Sequence, residues 1–312
     1  MPKNIKVSVC MITYGHEEYI REAIEGVLMQ EIDFDIELII SNDASPDRTD
    51  EVIQNILKDH PKASVINYTK QEKNLGMMSN TMFVLEQVKG KYIASCEGDD
   101  YWTDPYKLQK QVDFLEDNNE AMGCFHHASY VDSLGKTINE IYNADVEKFN
   151  FYDQEQCLKN LKSSYATCTL VFRKEVLQDA PKLLLTNLCD EILDLIITER
   201  GKLYFLNFNG ASYRCHPGGV WSGTSSIKFN IVLYRRMYLL YSIPAFKQRH
   251  KDFLKQRLVV LAEQFLFSNS FKKVTRINYF FKTIPFLELK KRDHQKFMMA
   301  FFKNIFFNIK PI

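Results

Sequence analysis

Ile5-Lys6-Val7-Ser8-Val9-Cys10-Met11-Ile12-Thr13, followed at once by Tyr14-Gly15-His16, is the stretch from which the fold can be read. Apolar and β-branched residues fill its first part with no helical period, which predicts a buried strand. Tyr14-Gly15-His16 breaks that strand. From Glu17 to Met29, apolar Tyr19, Ile20, Ala23, Ile24, Val27 and Leu28 recur at helical spacing behind acids in the first turn, so a helix follows. The alternation then repeats. A strand at Ile36–Ser41 ends in Asn42-Asp43-Ala44-Ser45-Pro46-Asp47, and a helix runs from Arg48 to Lys58. Ala63–Tyr68 reads as a strand, Leu75–Val88 as a helix and Lys91–Cys96 as a strand. This β-α-β-α-β-α-β order predicts a mostly parallel sheet with right-handed crossovers, and such sheets bind ligands outside the carboxyl ends of their strands. Tyr14, Asp43 and the acids from Glu97 to Asp100 each stand where a strand ends, so they should line one crevice.

The last of these turns is Cys96-Glu97-Gly98-Asp99-Asp100-Tyr101-Trp102. Carboxylates this close repel one another unless a cation sits among them. A hard divalent ion takes oxygen ligands and shares them with substrate phosphates, which points to metal-assisted phosphate chemistry. A solvated acidic turn is the plain alternative. Gly-Asp-Asp also occurs at polymerase metal sites, so the tripeptide does not choose a reaction.

The chain has 312 residues and is 46% hydrophobic, enough for one large globular domain with an extension. Its seven cysteines form no CxxC pair and no Cys/His metal spacing, which fits a reducing compartment. No uncharged apolar stretch approaches the roughly 18 residues of a membrane span, and no signal peptide is recognisable. Together these predict a cytoplasmic location. The net charge of +1 conceals an asymmetry: residues 226–312 hold 18 Lys/Arg against 4 Asp/Glu, and residues 1–225 hold 22 against 35. The composition therefore divides the chain into 1–225 and 226–312.

Beyond Asp104-Pro105, Tyr106–Asp117 reads as a helix and Ala121–His127 as a strand. Ser129–Lys162 is less regular. Thr167–Phe172 is strand-like, Asp190–Arg200 is an amphipathic helix closed by Gly201, and Leu203–Phe205 and Ala211–Arg214 are two short strands. They lead into Cys215-His216-Pro217-Gly218-Gly219.

Four blocks of this order resemble the family 2 glycosyltransferases of the GT-A fold: Val7–Tyr14, Ser41–Thr49, Asn74-Leu75-Gly76, and Gly90–Ile93 leading to Glu97-Gly98-Asp99-Asp100. The likeness covers residues 5 to 221. Its Glu-Gly-Asp-Asp-Tyr-Trp run is similar to a bacterial branch that makes surface polysaccharides. The resemblance implies an inverting transfer from a nucleotide-diphosphate sugar, UDP-linked, with Mn2+ or Mg2+ as cofactor. It implies donor-nucleotide contacts at Thr13, Tyr14, Asp43, Asn74, Glu97, Asp100 and Arg214. An aromatic face at Tyr14 can stack on the base, and Asp43 can accept a hydrogen bond from it. Metal ligation falls to Asp99, Asp100 and His216. Glu97 replaces the usual first aspartate of the D-x-D motif, and sequence does not separate the roles of Asp99 and Asp100. The family's base, which takes the acceptor's proton, corresponds to Asp190, with Glu191 as the fallback. Cys189-Asp190 stands where the family usually has Glu-Asp.

The basic, aromatic-rich extension reads as mostly helical. It can lie in an anionic membrane interface, bringing a glycan or lipid-linked acceptor to the site, or pack as a helical bundle. No nucleic-acid motif accompanies its charge, so nucleic acid is not an expected partner. Nothing in the sequence assigns an oligomeric state. Two rivals stand beside the transferase. A sugar nucleotidyltransferase would be expected to carry a basic, glycine-rich loop where this chain has Tyr14-Gly15-His16-Glu17-Glu18. A non-catalytic scaffold would not need carboxylates at 97, 99, 100 and 190.

Overall fold

The structure is a computed structural model that describes residues 4–139, 150–160, 165–178, 180, 185, 188–219 and scattered positions from 237 to 258. The chain forms two compact units, Met1–His216 and Pro217–Ile312. The division falls just ahead of the compositional change at Ser226. The irregular stretch at 140–149 and 161–164, and nearly all of the basic extension, lie outside the described residues.

In the first unit the expected alternation is present: β1 (Ile5–Thr13), α1 (Ile20–Leu28), β2 (Asp35–Asn42), α2 (Thr49–Asp59), β3 (Ile66–Lys70), α3 (Met77–Leu85) and β4 (Tyr92–Ser95). Then come β5 (Tyr101–Trp102), α4 (Lys107–Asp117), β6 (Ala121–Val131), β7 (Thr137–Asn139), β8 (Phe151–Tyr152), α5 (Gln154–Asn160), β9 (Val171–Arg173), α6 (Asp190–Arg200) and β10 (Lys202–Arg214). Among the described residues these strands form one ten-stranded α/β sheet in the order β3-β2-β1-β4-β9-β6-β10-β5, with β7 on β6 and β8 on β10. The long ladders β2/β3, β1/β2, β1/β4 and β6/β10 are parallel. Short β9 runs antiparallel between β4 and β6.

Burial follows the patterns that predicted the elements. Val7, Val9 and Met11 of β1 and Leu38, Ile39 and Ile40 of β2 are buried, and α1 covers the sheet with Ile20, Ala23, Ile24, Val27 and Leu28. Gly26 lets α1 come close: a Cβ there would lie 2.8 Å from the backbone nitrogen of Trp102. Trp102 itself is core, with its indole N–H donating to the Cys168 carbonyl at 2.7 Å.

Several boundaries differ from the sequence reading, each for a visible reason. Ala63–Val65 is a 3-10 turn, and the strand begins only at Ile66. Thr167–Thr169 is likewise a 3-10 turn, in which the Thr169 hydroxyl donates to the Ala166 carbonyl at 2.7 Å; pairing is confined to Val171–Arg173. Leu203–Phe205 and Ala211–Arg214 are halves of a single strand, β10, whose register on β6 shifts between Leu206 and Ala211. Asn207-Phe208-Asn209-Gly210, between the two, bulges within the ladder. The backbone at Gly201 is extended, at φ 175°, so it is not a left-handed cap; a Cβ there would meet the Glu120 carbonyl oxygen at 2.5 Å.

One buried cation sets up a stability prediction. The Lys107 side chain at the start of α4 is fully buried, its ammonium 3.9 Å from the centre of the Trp102 ring and without a hydrogen-bond partner. Burial pulls its pKa from 10.5 down to about 8. Between those values the unfolded chain binds more protons, so this burden on stability is full below about pH 8 and fades as pH rises toward 10.5. Lys107→Met should therefore stabilise the fold by about 1–3 kcal/mol at neutral pH. Urea titrations of both proteins at pH 7 and pH 10 should show the gain shrinking at the higher pH.

Candidate active site

Parallel pairing brings the ends of β1, β2 and β4 to one rim, and backbone hydrogen bonds knit their turns together. The Asp43 amide donates to the Thr13 carbonyl at 2.9 Å, and the Gly98 amide to the Ile12 carbonyl at 3.0 Å. Gly98 is demanded by crowding, since a Cβ there would lie 2.6 Å from Thr13 Oγ1.

On the β2 side, Tyr14 exposes its ring while Thr13 is buried. Asp43 is buried too, and its carboxylate receives the Leu75 amide at 2.6 Å and the Gly76 amide at 2.9 Å. Asn74 Oδ1 also accepts from the Gly76 amide, at 3.0 Å. Asp43 thus shapes the Asn74-Leu75-Gly76 loop beside the exposed Tyr14. Met77 and Met78, partly exposed at the start of α3, add apolar surface there.

Around the acids, Asp99 stands between two imidazoles. His216 Nε2 lies 3.0 Å from Asp99 Oδ2, and His16 Nε2 lies 3.8 Å from the same oxygen. One donor atom from each of these three residues falls within 4.8 Å of the others. Burial works against ionisation of Asp99, but the hydrogen bond with His216 and the proximity of His16 hold its pKa below the usual value. Burial lowers the pKa of His16, which favours the neutral imidazole that can ligate a metal.

Asp100 is not part of this group. It is buried, and its Oδ1 accepts the Arg214 amide at 2.9 Å; burial first, then Asp99 and Glu97, push its carboxyl well above the normal range. The Arg214 guanidinium is also engaged. Nε donates to the Asp99 carbonyl at 3.0 Å, one terminal nitrogen to the Asp132 and Ser133 carbonyls at 3.4 and 3.3 Å, and the other to Glu22 at 2.5 Å. It lies over Tyr19 and Tyr101, 4.7 and 5.1 Å from their ring centres. Arg214 therefore ties β10 to the acid turn and to α1.

Glu97 stands two residues beyond the end of β4. Its Oε2 is sealed from solvent without a hydrogen-bond partner. Burial, then the charges of Asp190 and Asp99, raise its pKa to about 8. Asp190 is the first residue of α6, followed by buried Glu191 and Asp194. The Tyr165 hydroxyl donates to Asp194, whose carboxyl burial raises well above normal, with Asp190 and Glu191 adding to the effect. Asp99 and Asp190 both act electrostatically on Glu97, so the imidazole–carboxylate group and the acids of α6 lie near one another.

The profile described as Glycosyl transferase family 2 matches residues 8–180. The chain belongs to glycosyltransferase family 2. An uncharacterized protein of Mycobacterium tuberculosis is 32% identical over 216 residues, which is 69% of this chain. The match spans 60% of that relative's own length. An uncharacterized glycosyltransferase of Nostoc is 31% identical over 137 residues, 44% of this chain and 40% of the relative. Among solved structures, S. aureus TarS in complex with UDP-GlcNAc superposes with a TM-score of 0.60 at 16% identity, covering 96% of this chain and 82% of that one. The mannosyltransferase PcManGT from Pyrobaculum calidifontis, in complex with GDP-Man and Mn2+, gives 0.50 at 12% identity, over 98% and 91%. The fold is GT-A.

Within this family 2 chain, two contributors to the site went unread in the sequence. His16 looked like a strand breaker, although a histidine just past the end of β1 already stands on the ligand rim. Glu22 drew no reading of its own, and only the fold reveals Arg214 as its partner. Among the described residues, no helix is long and apolar enough to cross a membrane.

Proposed function

We propose that this protein is an inverting, metal-dependent glycosyltransferase that moves a sugar from a UDP-linked donor to a hydroxyl of a glycan or lipid-linked acceptor in surface polysaccharide synthesis. The observation that supports this reading is the grouping of Asp99 with two imidazoles, near a Glu97 that also feels the charge of Asp190. The donor set suits a divalent ion, and the partnerless Glu97 Oε2 leaves a polar atom for a cation or a ribose hydroxyl to satisfy. Asp99 and His216 would hold the ion, which when bound neutralises charge on the departing diphosphate.

The protein's own groups supply the rest. Tyr14 offers a stacking face for the base, and the loop held by Asp43 closes the other side of its pocket. Arg214 keeps Asp99 and Asp100 in place. Asp190 accepts the acceptor's hydroxyl proton as that oxygen bonds to the anomeric carbon, while the bond from that carbon to the diphosphate oxygen breaks on the opposite face. Buried Glu191, the next residue of α6, is the fallback for that proton transfer.

Incubation with a panel of nucleotide sugars, Mn2+ and membrane lipid extract tests the reaction. UDP release that depends on a UDP-sugar and on the extract is the expected result; no release from any nucleotide sugar would overturn the assignment. We place the protein at the cytoplasmic face of a bacterial plasma membrane, held there by its basic C-terminal residues. Full-length protein should float with anionic vesicles and not with neutral ones, and protein left at the bottom of both gradients would contradict that placement.

A further inference from the structure

We propose that His16 is a third protein ligand of the metal centre, joining Asp99 and His216, and that this pair of imidazoles with one carboxylate selects Mn2+ over Mg2+. The inference rests on the metal-dependent reading above and extends it to a residue in the turn after β1.

The geometry around His16 is that of a held ligand rather than a loose surface imidazole. Three consecutive amides of its turn are fixed by side chains of the turn before α2 and of the first α2 residue: Gly15 donates to Ser45 Oγ at 3.0 Å, His16 to Thr49 Oγ1 at 2.9 Å and Glu17 to Asp47 Oδ2 at 3.0 Å. The His16 carbonyl accepts the Tyr19 and Ile20 amides at 3.0 and 2.9 Å, which anchors the residue to the start of α1. With the backbone fixed on both sides, the ring is oriented by Thr13, whose Oγ1 lies 3.1 Å from His16 Nδ1. A proton on Nδ1 shared with that hydroxyl leaves Nε2 with a free lone pair, as a metal-bound imidazole requires. Nε2 lies 3.8 Å from Asp99 Oδ2, the same oxygen that His216 Nε2 approaches at 3.0 Å. The His16 and His216 rings meet edge to face with centres 5.8 Å apart.

The donor chemistry sets the ion. Mg2+ takes oxygen ligands and keeps its waters, whereas imidazole nitrogen favours first-row transition ions. Two nitrogens in the set therefore weigh against Mg2+. Asp100, turned toward the Arg214 amide, leaves a single carboxylate in the group.

The test uses the full chain and Mn2+ alone, then Mn2+ with UDP. Electron-spin-echo spectra of wild type should show two imidazole nitrogens coupled to Mn2+, and those of His16→Ala should show one. His16→Ala should weaken Mn2+ binding by at least about tenfold, measured from the free-ion signal, and Mg2+ should compete more effectively in the variant than in wild type. A single coupled nitrogen in wild type would overturn the inference, as would unchanged Mn2+ affinity in His16→Ala. The wild-type spectrum decides alone if the variant does not fold. UDP binding followed in parallel separates the two readings: wild type that binds UDP but no Mn2+ removes this metal centre and leaves the transferase, whereas loss of both removes the proposed function as well.

Discussion

Asp190→Asn is expected to lower turnover by about a hundredfold to ten-thousandfold, the range attributed to a positioned general base. The amide keeps the shape of the side chain at the first position of α6 but cannot take the acceptor's proton. Donor affinity should change by less than about twofold, because the Asp99 group and the Tyr14–Asp43 side of the rim remain intact, so the loss should fall on kcat. Asp190 also adds negative charge near Glu97 and Asp194, and its neutralisation relieves both buried acids. The variant should therefore be at least as stable as wild type in urea, which separates lost chemistry from lost fold. Glu191→Gln should keep most activity. Steady-state rates with a UDP-sugar, together with UDP titrations, check all three; normal turnover by Asp190→Asn would remove this residue from the mechanism.

The second large effect is structural. Arg214→Met should cost about 3–5 kcal/mol, the usual penalty when one partner of a buried charged network is removed. Arg214 is nearly inaccessible, and its guanidinium satisfies the Asp99, Asp132 and Ser133 carbonyls and the Glu22 carboxylate at once. Methionine fills similar volume, so the loss is of charge and hydrogen bonds rather than of packing. Freed from Arg214, the Asp99–Asp100 turn should also lose its alignment, and Mn2+ affinity should fall together with stability. Glu22→Gln should cost much less, because Glu22 is half exposed and water can replace it. Urea unfolding of both variants, with Mn2+ titrations of the folded protein, measures the two consequences.

Much of the architecture was legible because the first half of the chain obeys local rules. Apolar β-branched runs and helical spacing located β1 to β4 and the helices between them to within a few residues. The clearest boundary shift in that half is α1, which begins at Ile20 rather than Glu17: the Tyr19 and Ile20 amides both turn back to the His16 carbonyl, at 3.0 and 2.9 Å, so Glu17 to Tyr19 form a turn ahead of the helix. The second half was harder. The bulge at Asn207–Gly210 splits one strand into two apparent ones, and β9 is too short to have a period.

The site was legible as a set of strand ends but not as a set of contacts. Parallel topology alone brought Tyr14, Asp43 and Glu97–Asp100 together. The partners of Asp43 lie 32 and 33 residues away, and His216 lies 117 residues from Asp99, separations across which no local pattern carries information. The same limit hid the company of His16 and the enclosure of Arg214. Gly98, read only as part of an acidic motif, also makes room for Thr13, the residue that orients the His16 ring.

The central claim, a nucleotide-diphosphate site completed by a metal at Asp99, is tested most directly by thermal unfolding of wild type and Asp99→Ala with a panel of nucleoside diphosphates and UDP-sugars, with and without Mn2+. Wild type should be stabilised by UDP compounds with Mn2+, by about 2.7 kcal/mol at a hundredfold excess over Kd, and the shift should vanish without the ion and in Asp99→Ala. No stabilisation of wild type by any nucleotide, with or without Mn2+, would contradict the account.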